Sequence, residues 1–110
     1  MISTHILDTH LGKPAQDVKV ILLNAKREIL ASTVTNSDGR IQNFSLSDDL
    51  GELVIGEYSL EFYTGSYFQH LGLETFFPKA VIHFYIKDER QHYHIPLLIS
   101  PFAYSTYRGS

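Results

Sequence analysis

His92 and His94 stand two apart in the segment His92 to Ile99, alternating with Tyr93, Ile95, Leu97 and Ile99. In an extended chain residues i and i+2 share a face, so if the apolar row points into a core, His92, His94, Pro96 and Leu98 point out of it. The same parity at the N-terminus puts Ile2, Thr4 and Ile6 in one row and Ser3, His5 and Leu7 in the other. Three imidazoles are thus expected on outer sheet faces. Imidazole exchanges protons near neutral pH, and a positioned general base adds about 10²- to 10⁴-fold to a rate. Two histidines two apart with a third from elsewhere also make a plausible zinc triad, and spacing does not separate a base from a ligand. Solvated surface histidines are the plain alternative. The Leu and Pro of the outer row have no reason to face water, which predicts that another subunit covers this face. His10, His70 and His83 are read as structural: the first two lie in turn or helical surroundings, and the third alternates with Ile82 and Phe84.

Arg40 follows the turn Ser37-Asp38-Gly39, where a fixed backbone could aim its rigid guanidinium fork at a planar, oxygen-rich ligand. Tyr107-Arg108-Gly109-Ser110 comes directly after a strand pattern with no frayed polar tail. Either these residues pack into something or the tail is merely short.

The elements that must position these groups are short runs of period-two hydrophobicity broken by Gly, Pro, Asn, Asp and Ser. Strands are expected at Ile2 to Asp8, Val18 to Leu23, Glu28 to Thr35, Gly39 to Phe44, Tyr58 to Tyr63, Ala80 to Ile86, His92 to Ile99 and Tyr104 to Tyr107. Tyr58, Leu60 and Phe62 alternate with Ser59 and Glu61, which predicts one buried and one wet face. Tyr67, Phe68, Leu71 and Leu73 can share one side of a short helix before Pro78. The fold class is all-β, a two-sheet antiparallel sandwich of about eight strands with one short helix.

Length and composition agree. The chain has 110 residues, 44% hydrophobic and 19% charged, which suits a single domain over residues 1–110. It has no cysteine, which excludes thiol catalysis, thiolate zinc and a disulfide framework. Nine Lys and Arg against twelve Asp and Glu, without a basic cluster, argue against a nucleic-acid partner. No run approaches about 18 apolar residues, and the N-terminus lacks a basic region followed by an apolar one, so neither a membrane span nor a signal peptide is expected. The chain as given reads as cytoplasmic.

The blocks ISTHILDTHLGKPA, SDGRI, TGSYFQHLGLETFFP and HYHIPLLISPFAYSTYRGS together resemble the 5-hydroxyisourate hydrolase family, the transthyretin-related enzymes of urate degradation. The similarity runs almost end to end, and the YRGS ending resembles the signature that separates these hydrolases from transthyretin, the hormone carrier of the same fold. The resemblance implies a homotetramer with sites at the dimer-dimer interface. It implies His5 of THILD, Arg40 of DGR, His94 as the second His of HYH, and Ser110 of YRGS as the catalytic constellation. His5 and Arg40 would also touch the substrate, Tyr107 and Arg108 would hold it or complete the wall, and His92, beside them, would join in binding it. The implied reaction is hydrolysis of 5-hydroxyisourate to 2-oxo-4-hydroxy-4-carboxy-5-ureidoimidazoline, with no metal or organic cofactor. The alternative is a non-catalytic sandwich that carries a small aromatic ligand; its channel would call for an apolar or neutral lining, which His5, Arg40, His94 and Ser110 do not provide.

Overall fold

In the computed structural model, which describes residues 1–44 and 53–110, the extended segments become β1 (Ile2–Asp8), β2 (Lys13–Pro14), β3 (Lys19–Asn24), β4 (Ile29–Val34), β5 (Arg40–Ile41), β6 (Gly56–Phe62), β7 (Ala80–Ile86), β8 (Tyr93–Ser100) and β9 (Ala103–Thr106). A single helix, α1 (Thr64–His70), lies between β6 and β7. One sheet runs β2-β1-β8-β9, with β5 also paired to β1, and the other runs β4-β3-β6-β7. This is a two-sheet sandwich. Its core is built from alternate residues of both sheets: Ile2 and Ile6 of β1, Leu97 and Ile99 of β8, Val20 and Leu22 of β3, and Leu60 and Phe62 of β6 are all essentially inaccessible. Phe68 of α1 closes one side.

Most strand pairs are antiparallel, but β1 and β8 run parallel, with Ser3 opposite His94 and His5 opposite Pro96. A parallel pair needs a long crossover, and here the whole second sheet lies between the two strands in the chain. The hairpin expectation built into an antiparallel sandwich therefore does not extend to this central pair.

Two local expectations change. The outer face of β6 is not wet: Ser59 and Glu61 are buried, because β6 is a central strand whose outer face is covered by long side chains from its neighbours. Glu61 Oε2 accepts from Arg27 Nη2 at 2.6 Å and Oε1 from Lys79 Nζ at 2.9 Å. These bonds, Lys79's first, hold its carboxyl below the usual carboxylate range against the opposing effect of burial. The helix is also shorter than its apolar spacing suggests. The N–H groups of Gly72 and Leu73 turn back onto the carbonyls of Gln69 and Phe68, each at 3.0 Å, and end it at His70. Leu71 is consequently exposed, while Leu73 still packs on the core. Among the described residues no helix is long and apolar enough to cross a membrane.

Candidate active site

Strand parity decides which side chains meet. Because residues opposite each other in paired strands project to the same side, Ser3 and His5 of β1 share the outer face of their sheet with His94 and Pro96 of β8. On the other edge of β1, Arg40 of β5 is the register partner of His5. The segment after β9 then folds back along β8: the Gly109 N–H donates to the His94 carbonyl at 2.8 Å. Four chain segments thus deliver polar groups to one patch.

Local chemistry holds each group in place. Arg40 stands at the end of a turn in which Asn36 Oδ1 accepts from the N–H of Asp38 at 2.9 Å and from the N–H of Arg40 at 3.0 Å. Gly39 completes the turn with φ of +71°, and a Cβ there would lie 2.5 Å from the Ile6 carbonyl oxygen, so a side chain would push the turn off β1. At Gly109 a Cβ would lie 2.5 Å from His94 Cδ2 and 3.0 Å from Pro96 Cγ. The tail rests directly on the His94 ring, and a side chain at that point would force ring or tail to move.

The two imidazoles of the His-x-His pair converge on a group that parity had put in their row without giving it a role. Ser3 Oγ lies 2.7 Å from His92 Nε2 and 2.8 Å from His94 Nδ1. Ser3 is buried, His94 half-buried and His92 exposed. Arg40, Gln42, His92, His94 and Ser110 line, with Ser3, Thr4 and Ile41, a cleft of about 260 Å³. His5 is adjacent through its pairing with Arg40. Among the described residues no group of three His, Cys, Asp or Glu side chains is gathered as a metal site.

Tyr107 and Arg108 do not line this cleft but a larger groove of about 560 Å³ beside it, which they share with His94 itself, with Tyr93 of β8 and with β7 residues such as His83 and Tyr85. The Arg108 guanidinium stands 4.6 Å from the centre of the Tyr93 ring, and Tyr107 is exposed. His10, His70 and His83 are exposed and stand apart from the cleft.

The electrostatics favour neutral imidazoles. Burial and then the Arg40 charge lower the pKa of His5 below its ordinary value near 6.5, against a weaker opposing effect from Asp38. Burial, Arg40, His92 and His5, in that order, do the same for His94. A cleft with the His94 imidazole, whose neutral form is favoured, a guanidinium and a serine hydroxyl, and with the His5 imidazole alongside, can take a proton from water and stabilise an oxyanion.

The model of the HIUase/Transthyretin family matches residues 2–109. The chain is 40% identical to 5-hydroxyisourate hydrolase 2 of Rhizobium meliloti, over 99% of this chain and 95% of that protein. It superposes on the structure of Klebsiella pneumoniae 5-hydroxyisourate hydrolase with a TM-score of 0.87 and 46% identity, covering 99% and 98% of the two chains. It also superposes on sea bream transthyretin in complex with thyroxine, with a TM-score of 0.85 and 29% identity over 98% of this chain and 93% of that one.

Proposed function

The chain belongs to the HIUase/transthyretin family, and on that premise we propose that it is a hydrolase of purine catabolism that opens the ring of 5-hydroxyisourate. The observation that carries this reading is the meeting of His94, Arg40 and Ser110 in one cleft with His5 alongside. Full-length likeness to proteins named for that activity supports it.

Water adds to the ring carbonyl and the adjacent amide C–N bond breaks, giving 2-oxo-4-hydroxy-4-carboxy-5-ureidoimidazoline. Such a substrate is already activated, so positioning, orientation of water and charge stabilisation are the tasks left to the protein. His94 and His5 take the proton from the attacking water, a role that requires the neutral form that burial and Arg40 favour. Arg40 holds substrate oxygens and steadies the charge that develops on the carbonyl oxygen. Ser110, through its hydroxyl, orients the water or a histidine. His92 contributes to the wall beside His94, and Tyr107 and Arg108 complete the substrate enclosure where a neighbouring copy of the chain meets it. No cofactor is assigned.

On the outer face of β8 the chain's own C-terminal segment lies against the buried Pro96, while Leu98 stays partly exposed, an apolar group suited to a covered surface. We assign a homotetramer in which two dimers meet over this face, in a cytoplasmic setting. Light scattering at micromolar concentration should give four copies, and a monomer would remove the enclosed site.

The test generates 5-hydroxyisourate in situ from urate with urate oxidase and follows its ultraviolet decay with the protein and with His94→Ala. Accelerated decay to an optically active product, lost in the variant, is expected. Decay at the spontaneous rate from a folded assembly would overturn the hydrolase reading in favour of a ligand-carrying sandwich.

A further inference from the structure

We infer that Ser3 is a positioning residue that fixes the tautomer of His94, through a chain of hydrogen bonds running from the His94 Nδ1–H to the Ser3 hydroxyl and on to His92 Nε2. The inference rests on the reading of His94 as a base and supplies what that reading lacks: the reason the correct ring nitrogen is free.

The geometry leaves few choices. Ser3 Oγ is within hydrogen-bond distance of one nitrogen of each ring, 2.7 Å from His92 Nε2 and 2.8 Å from His94 Nδ1. A hydroxyl carries one proton, so of two neutral imidazoles it donates to at most one and must accept an N–H from the other. If it donated to His94 Nδ1, His94 Nε2 would carry the proton and could not serve as a base. If it accepts from His94 Nδ1–H, its own proton goes to His92 Nε2 and His94 Nε2 is bare.

Arg40 selects the second arrangement. It lines the same cleft as His94, and a guanidinium offers donors and no acceptor. A ring nitrogen facing that cation is stabilised as a bare lone pair and repelled as an N–H, and with Nδ1 taken by Ser3 Oγ the nitrogen left to meet the cleft's charge is Nε2. Among the described residues His94 Nε2 has no hydrogen-bond partner, and no buried side-chain nitrogen or oxygen lacks one, so this nitrogen is open to solvent. Ser3 itself is 5% exposed, so bulk water does not stand in for its hydroxyl. His92 thereby gains a function: it is the acceptor that sets which way the Ser3 hydroxyl points.

The experiment is two-bond ¹H–¹⁵N correlation of the imidazoles in ¹⁵N-labelled protein, at a pH where both rings are neutral, on wild type, Ser3→Ala, Ser3→Thr and His92→Phe. Wild type should show His94 protonated at Nδ1 and bare at Nε2. Ser3→Ala should move the ring toward the Nε2–H form and lower kcat by about 10- to 100-fold with little change in KM, less than the roughly 10⁴-fold lost when a charged orienting partner is neutralised. Ser3→Thr, which keeps the hydroxyl, should restore both the tautomer and most of the rate, and His92→Phe should shift the tautomer in the same direction as Ser3→Ala. A wild-type His94 protonated at Nε2 overturns the inference without recourse to any variant, and so does a folded Ser3→Ala with unchanged tautomer. Full turnover in His94→Ala would remove His94 as the base and the inference with it, whereas decay at the spontaneous rate with folded wild type would defeat the hydrolase reading itself, whatever the tautomer.

Discussion

Replacing Gly109 by alanine adds one methyl group at the point where the C-terminal segment lies on the His94 ring. Gly109 does not have a positive φ, so its backbone accepts an L side chain and the substitution isolates the contact. The new Cβ would stand 2.5 Å from His94 Cδ2, whereas carbon atoms rest at about 3.5 Å. Ring and tail must therefore separate by roughly 1 Å. Pro96 Cγ, 3.0 Å from the same Cβ, blocks sideways escape along the strand. Whichever partner yields, a site group moves: His94 on one side, Ser110 on the other. Misplacement of about 1 Å at reacting groups costs on the order of 10²-fold in rate, equivalent to about 2.7 kcal/mol on the barrier. Strain on the bond from the Gly109 N–H to the His94 carbonyl adds about 1 kcal/mol of lost stability, far too little to unfold the sandwich. The assay is kcat/KM from the decay of 5-hydroxyisourate generated in situ, with a thermal melt of the same sample. A folded Gly109→Ala protein with kcat/KM within about two-fold of wild type would refute the placement of the tail against the working imidazole.

Three further outcomes are expected. Arg40 lowers the pKa of both His5 and His94, so Arg40→Met should raise both, and the acid limb of the pH–kcat/KM profile should move up toward the ordinary imidazole value; an unmoved limb in a variant that still turns over would show that Arg40 does not act on the base. Residues appended after Ser110 should lower turnover, since Ser110 lines the cleft, and undiminished activity in the extended chain would remove it from the site. The lowered carboxyl pKa of Glu61 contributes stability that is present above the usual carboxylate range and lost as pH falls through the lowered value; Glu61→Gln should cost about 1–2 kcal/mol in urea unfolding at neutral pH and less in acid, given partly exposed partners, and an equal loss at both pH values would contradict this.

The rows of β1 and β8 were legible because alternation over seven or eight residues has one physical solution: Ile2, Ile6, Leu97 and Ile99 go inside, and the imidazoles follow from parity. Arg40 was legible from its turn, whose Asn36 and Gly39 act locally. The parallel pairing of β1 with β8 was not, since nothing within either strand states its partner. Nor was the buried Glu61, which reads as a wet residue until Arg27 and Lys79 arrive from other segments. Ser3 stood in the outer row with His5 from the start. Its chemistry stayed hidden because a serine gains meaning here only from two imidazoles some ninety positions away.

That separation has a consequence for how the enzyme comes into being. The hydrogen bond joining Ser3 to His94 spans 91 positions, and the tail that lies on His94 follows still later. Contacts of such long range form slowly, and a chain emerging from a ribosome N-terminus first cannot make them until its final strands are free. The β4-β3-β6-β7 sheet can assemble during synthesis, but β1 must wait, with one edge unpaired, for β8 to arrive. A chain broken off before β8 therefore leaves an open strand edge and no trace of the cleft, so interrupted synthesis is expected to yield aggregation-prone fragments without residual activity.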